Sequence, residues 1–236
     1  MRLDAFVAHA TGLTRRDART LIARGRIRVP DQPRLKAGLV LKTGQQVMLD
    51  DVVLAWPAAR YLMLHKPAGV VSSTSDRDGV SVLQLLPPAW RRDLHIAGRL
   101  DLDTTGLLLL STDGQWTHRI TSPRTGCRKV YRVTTAVPLT DAMLAQLAEG
   151  VQLRGDDQAT RPATVERLSP CLLRLGVTEG RYHQVKRMLA AVGNHVEALH
   201  REQVGDLRLD PALQPGEYRA LTEDEINLFR GGDREA

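Results

Sequence analysis

Residues 98–108, GRLDLDTTGLL, set two carboxylates two positions apart, with Arg99 two before the first and Gly106 leading into an apolar run. Two chemistries and one purely structural role suit Asp101 and Asp103 at that spacing. Asp101 could be a nucleophile and Asp103 a general acid in phosphoryl transfer. Asp101 alone could act on a nucleoside, with Asp103 as local structure. The pair could equally be an Asp-rich turn capped by Thr104. Further along, Lys186 and Arg187 sit beside Val185, Met188 and Leu189, and Tyr131 lies in a strand-like run, so each also reads as ordinary helix charge or strand tyrosine. No Gly-rich dinucleotide or phosphate-binding loop is present. Cys127 and Cys171 are too few for a disulfide framework or a zinc site.

These groups need elements to hold them. A DxDxT phosphatase loop of the haloacid-dehalogenase type follows a buried strand, whereas residues 95–99 here are HIAGR, with polar members throughout. Such a fold also needs regular strand–helix alternation. Strands are expected instead at 61–64, 107–111, 129–135, 164–167 and 171–177, with helices at 141–149 and 184–192, the last stopped by Gly193-Asn194. Strands outnumber helices without βαβ order, so the expected class is α+β with a mostly antiparallel sheet.

The first fifth of the chain differs. The 236 residues carry 33 Lys+Arg and 27 Asp+Glu, a net charge of +6. Ten of those basic groups and four of the acids fall in residues 1–50, leaving 23 of each sign in the rest. All the excess charge is therefore in one small module, and 28 of the 33 basic residues are Arg, whose planar fork suits phosphate. Leu3, Phe6, Val7 and Ala10 mark one helix face, which Gly12 ends. Thr14 caps a second helix with Asp17 in its first turn and Ala18, Leu21 and Ile22 buried, so Arg15, Arg16 and Arg19 should project to solvent until Gly25 stops it. Short strands are expected at 26–29, 39–42 and 46–49, with turns at Pro30-Asp31, Pro33 and Thr43-Gly44. This arrangement resembles the alpha-L RNA-binding module of a small-subunit ribosomal protein. The domains expected are 1–55 for this module, 56–60 for a linker interrupted by Pro57, and 61–236 for the remainder, with a frayed tail from Gly231.

With 42% hydrophobic and 25% charged residues, a packed core is expected rather than disorder. No apolar run approaches the roughly 20 residues of a membrane helix, and MRLDAFVAHA lacks a secretory h-region. A cytoplasmic protein, away from membranes, is the expectation.

Four segments in order carry a second resemblance. GRLDLDTTGLLLLSTDG, residues 98–114, resembles the catalytic loop of the RsuA-type pseudouridine synthases. Residues 61–70, YLMLHKPAGV, are similar to their strand and NKP-G turn, with His65 standing where Asn is usual. Residues 129–133, KVYRV, match their K-x-Y-x-V strand, and 179–189, EGRYHQVKRML, their helix start. Residues 181–201 and the closing PGEYRALTEDEI look most like the member that modifies 16S ribosomal RNA rather than its large-subunit relatives. The resemblance implies a cofactor-free, metal-free isomerisation of uridine to pseudouridine. Asp101 would be the catalytic carboxylate, Tyr131 would stack on the base, and Lys186 would pair with Asp101, with Arg187 as its neighbouring fallback. Arg99 would steady the flipped nucleotide, while Arg15, Arg16, Arg19 and Arg26 would grip phosphates. The partner implied is 16S ribosomal RNA or an assembling small subunit, bound by a monomer. A large-subunit substrate, or a non-catalytic RNA-binding assembly factor, is the alternative.

Overall fold

The computed structural model describes residues 1–230 apart from Asp31 and Thr43. The turns expected at Pro30-Asp31 and Thr43-Gly44 each contain one of these, and the tail from Gly231 also lies outside the described residues. Two compact units divide the chain, Met1–Ala59 and Arg60–Ala236.

The first unit begins with α1 (Leu3–Thr11) and α2 (Arg15–Ala23). Gly12 ends α1 at φ 72°, a left-handed conformation that costs glycine little. The Thr14 side chain caps α2 by accepting from the Asp17 amide at 3.2 Å. Leu3, Phe6, Val7, Ala18 and Ile22 pack together with Ile27, Val29 and Val47. A three-stranded antiparallel sheet follows, β1 (Ile27–Arg28), β2 (Met48–Leu49) and β3 (Val52–Val53). The strand expected at 39–42 does not form. Its backbone is taken up by the residues leading into α1, with Leu3 N bonded to Leu39 O and Leu41 N to Met1 O, and Val40 makes only an isolated bridge to Arg2. Trp56, placed in a linker from the sequence, packs against Phe6 with ring centroids 4.6 Å apart and planes tilted by 54°, and donates to Gln45 O.

The second unit is a nine-stranded sheet of β4 (Tyr61–Lys66), β5 (His95–Ala97), β6 (Thr105–Ser111), β7 (Lys129–Thr135), β8 (Thr164–Ser169), β9 (Leu172–Val177), β10 (Val196–Val204), β11 (Leu207–Arg208) and β12 (Tyr218–Ala220). Its path runs β12-β4-β6-β10-β7-β9-β8, with β5 on β6 and β11 on β10. Only β6 and β10 pair in parallel, so the α+β, mostly antiparallel architecture is as expected. Helices α3 (Gly114–Thr121), α4 (Asp141–Glu149), α5 (Gln184–Ala191) and α6 (Glu223–Asn227) cover the sheet.

The Leu107–Leu110 run is apolar throughout because β6 is buried on both faces. Leu107 and Leu109 join Trp116, Ile120 and Phe229, while Leu108 and Leu110 join Leu83, Leu86 and Leu94. A third cluster joins Val133, Leu173 and Leu175 to Val185, Met188 and Leu189 of α5.

Strand β10 was invisible in the sequence, since VEALHREQV has no clean alternation, yet it is the centre of the sheet. Gly106 permits its approach. A Cβ there would lie 2.3 Å from the Arg201 carbonyl oxygen, and the residue sits at φ 109°. Burial of Arg201 itself is matched by bonds from its guanidinium to Leu107 O at 2.8 Å and Gly98 O at 2.9 Å.

Candidate active site

The loop between β5 and β6 carries Asp101, and its backbone is fixed from beneath. The fully buried Lys66 ammonium at the end of β4 donates to four carbonyls: Thr104 O at 2.8 Å, Asp101 O at 2.9 Å, Pro67 O at 3.0 Å and Leu102 O at 3.3 Å. The Ser72 hydroxyl donates to Leu100 O and accepts from Leu100 N, and Gly69 N bonds Leu102 O. The carbonyls of Leu100, Asp101, Leu102 and Thr104 therefore each have a donor, so the position of Asp101 is set by the fold rather than by its own side chain. Burial pulls the Lys66 amine down to about 8, while the charges of Asp103 and Asp101 resist that fall.

The Asp101 carboxylate opens into a cavity of about 660 Å³, within the usual size of a ligand cleft. Arg99, Tyr131 and Lys186 line the same cavity, so the predicted catalytic set converges from a loop, the strand β7 and the helix α5. Each Asp101 oxygen faces a different basic group. His183 Nε2 is 3.5 Å from Oδ1 and Lys186 Nζ is 3.5 Å from Oδ2.

Lys186 is nearer to Asp103, which it meets at 2.6 and 2.8 Å through both oxygens. The contact with Asp101 expected from the sequence is present but shared: one ammonium bridges both aspartates, and Asp103 is its closer partner. The reason is position on the loop, because Asp103 is exposed and free to turn toward the helix while the Asp101 backbone is clamped. Asp103 is held below the usual carboxylate range by the Lys186 hydrogen bond. Burial lowers the Lys186 amine, but its bond to Asp103 and the charge of Asp101 outweigh that, and the net shift is upward.

Arg187 does not serve as the fallback. Its guanidinium donates to Asp156 Oδ1 at 2.5 Å, Arg154 O at 2.9 Å and Tyr182 O at 3.2 Å. Arg181 adds bonds to Asp156, Gln158 O and Ala159 O. These two arginines tie the turn before α5 to the 154–159 segment and so aim Lys186 into the cavity. An i, i+1 pair on a helix points in two directions, which is why only one of the two adjacent cations reaches Asp101.

In the first unit, Arg15, Arg16 and Arg19 share one exposed face of α2 with Arg24. Arg15 and Arg19 are not simply projected to solvent. The Asp4 carboxylate is fully buried, and Arg19 Nε at 3.0 Å, Arg2 Nε at 3.3 Å and Arg15 at 3.6 Å surround it. Burial acts to raise Asp4, yet the bonds from Arg19 and Arg2 prevail and it is lowered. Arg16 has no acidic partner among the described residues, and Arg26 is ion-paired with Asp50.

Comparison with known proteins fits this geometry. Residues 60–191 match the family model described as RNA pseudouridylate synthase. The chain is 50% identical over 229 residues to the ribosomal small subunit pseudouridine synthase A of Escherichia coli K12, covering 96% of this chain and 98% of that protein. The chain belongs to the RNA pseudouridylate synthase family. The corresponding protein of Vibrio cholerae is 46% identical over 226 residues, again covering 96% of this synthase and 98% of the relative. A crystal structure of a pseudouridylate synthase superposes with a TM-score of 0.72 at 43% identity, covering 97% of this synthase and 99% of that chain. Two groups of the site went unassigned in the sequence. Lys66 and His183 each stood inside a quoted motif without a role, and the nearness of His183 to Asp101 spans 82 residues and exists only in the fold.

Proposed function

We propose that this synthase isomerises a uridine of 16S ribosomal RNA to pseudouridine, working as a cytoplasmic monomer on that RNA or on an assembling small subunit. The observation that carries this reading is Asp101, clamped through its backbone by Lys66 and flanked on its two oxygens by Lys186 and His183 inside one cavity. The 50% identity to a protein named for the small ribosomal subunit supports the choice of RNA.

The reaction breaks the bond from ribose C1′ to N1 and makes one from C1′ to C5. The proton on C5 leaves and N1 gains one, so composition is unchanged and no redox partner or transferred group is required. Asp101 acts on the ribose of an extruded uridine, and Lys186, 3.5 Å from its Oδ2, orients that carboxylate from the α5 side. Tyr131 stacks on the detached base from the β7 side. Arg99, exposed at the cavity edge, fills the space the base leaves, offsetting the few kcal/mol of extrusion. The α2 arginines contribute salt-dependent grip on phosphates.

The test is tritium release from 16S ribosomal RNA labelled at uridine C5, without added metal or cofactor, with large-subunit RNA alongside. Release from a single 16S position, abolished by Asp101→Asn while RNA binding persists, is the expected result. Activity retained by Asp101→Asn would overturn the catalytic assignment, and release from large-subunit RNA alone would overturn the substrate.

A further inference from the structure

Tyr182 is the most exposed large hydrophobic side chain among the described residues, at 77%, and it lines the Asp101 cavity. Its ring lies on the His183 imidazole with centroids 3.8 Å apart and planes 21° from parallel. Stacking covers one face of the tyrosine, and its exposure leaves the other to solvent. The backbone beneath is not loose. Arg187 donates to Tyr182 O, Arg181 N donates to Gln184 Oε1, and the Arg181 guanidinium reaches Asp156 and two carbonyls. His183 is held at φ 47° and ψ 36°, a left-handed conformation that a non-glycine residue keeps only where its surroundings impose it. Leu102, 54% exposed on the Asp101 loop, adds a second apolar group to the cavity lining.

A two-ring stack with one open face, on a hydrogen-bonded backbone beside a proposed catalytic carboxylate, is a ready platform for another flat ring. We propose that it is a binding site for a second nucleobase, that of a nucleotide adjacent to the target uridine in the RNA chain. This inference rests on the uridine-isomerase reading. Extruding a nucleotide strips each of its neighbours of a stacking partner, and an aromatic ring at the cavity rim replaces the lost contact. The flat face accepts any base, so the site contributes affinity and anchoring rather than hydrogen-bond readout. Tyr131 meets the target base deep in the cavity, and Tyr182 meets its neighbour at the rim.

The test uses the full chain and a 16S RNA fragment carrying the uridine mapped by tritium release, together with versions made abasic at each flanking position. Tyr182→Ala should raise KM and the dissociation constant by roughly 5- to 150-fold, the range of one base–aromatic stack, with kcat nearly unchanged. Tyr182→Trp should restore binding. One abasic position should weaken wild type by the same factor and cost Tyr182→Ala nothing further. Equal abasic penalties in both proteins, an unchanged dissociation constant, or a loss confined to kcat would each overturn the proposal. Since wild-type turnover and the Asp101→Asn control are read in the same experiment, failure of the isomerase reading is seen separately from failure of the stacking site.

Discussion

Replacing Lys66 with Met tests the central physical claim, that a buried ammonium holds the Asp101 loop. Three N–H groups serve four carbonyl oxygens at 2.8 to 3.3 Å. Hydrogen bonds to a charged group contribute about 1.5–3 kcal/mol each, giving roughly 4.5–9 kcal/mol for three. Against that stands the net cost of keeping the buried amine charged, a fall from 10.5 to about 8, which is about 3.4 kcal/mol. Lys66→Met should therefore destabilise the second unit by about 1–6 kcal/mol in chemical denaturation. It should lower kcat in the tritium assay by about 100-fold or more, because displacement of a catalytic group by an ångström is enough for that loss. The pH dependence separates clamp from fold. The folded value of about 8 lies below the unfolded 10.5, so the folded protein sheds this proton first. The proton-linked part of the Lys66 contribution is thus at its least favourable below about pH 8 and improves as pH rises toward 10.5. Activity should move the other way, falling above pH 8 as the clamp loses a donor, while denaturation at pH 9 shows no Lys66-driven loss of stability. Wild-type kcat in Lys66→Met, or a flat activity profile through pH 9, would refute the reasoning.

Gly106→Ala puts a Cβ 2.3 Å from the Arg201 carbonyl at φ 109°, and should cost about 4 kcal/mol or more, read as loss of the cooperative unfolding transition. Asp4→Asn leaves Arg2, Arg15 and Arg19 facing a neutral group; α1 amides should exchange faster by hydrogen exchange in the full chain. The Asp4 carboxyl is lowered from 3.8, so its contribution is present above that pH in the wild type and lost as pH falls through its folded value, with α1 protection falling in the same window. Replacing Arg15, Arg16 and Arg19 together by Gln should weaken RNA binding and reduce the slope of log K against log salt by at most about 2–3, since each phosphate contact contributes about 0.7–0.9. The Arg16 change should account for the largest single share, because Arg15 and Arg19 are partly engaged by Asp4.

Local signals were legible where local physics decides. The caps at Gly12 and Thr14, the strand at 107–111 and the apolar face of α5 are consequences of composition, periodicity and capping, and they hold in the structure. The expected strand at 39–42 did not form because its hydrogen bonds go to residues nearly 40 positions away. The polar strand β10 was missed because what makes it central is pairing on both sides, with β6 and β7, rather than its own composition.

By itself, the sequence determined which groups the site has to work with, through residue types in the order of a known family, and which basic module carries the charge. Tertiary structure decided how those groups are used. Whether Lys186 or Arg187 reaches Asp101 depends on the direction of each side chain from α5, set by salt bridges to Asp156. That Asp103 shares Lys186, that Lys66 braces the loop from below and that His183 faces Asp101 are contacts across 35 to 83 residues. Such distances in sequence carry no local energy, so only the packed chain brings these groups within Coulombic and hydrogen-bonding range.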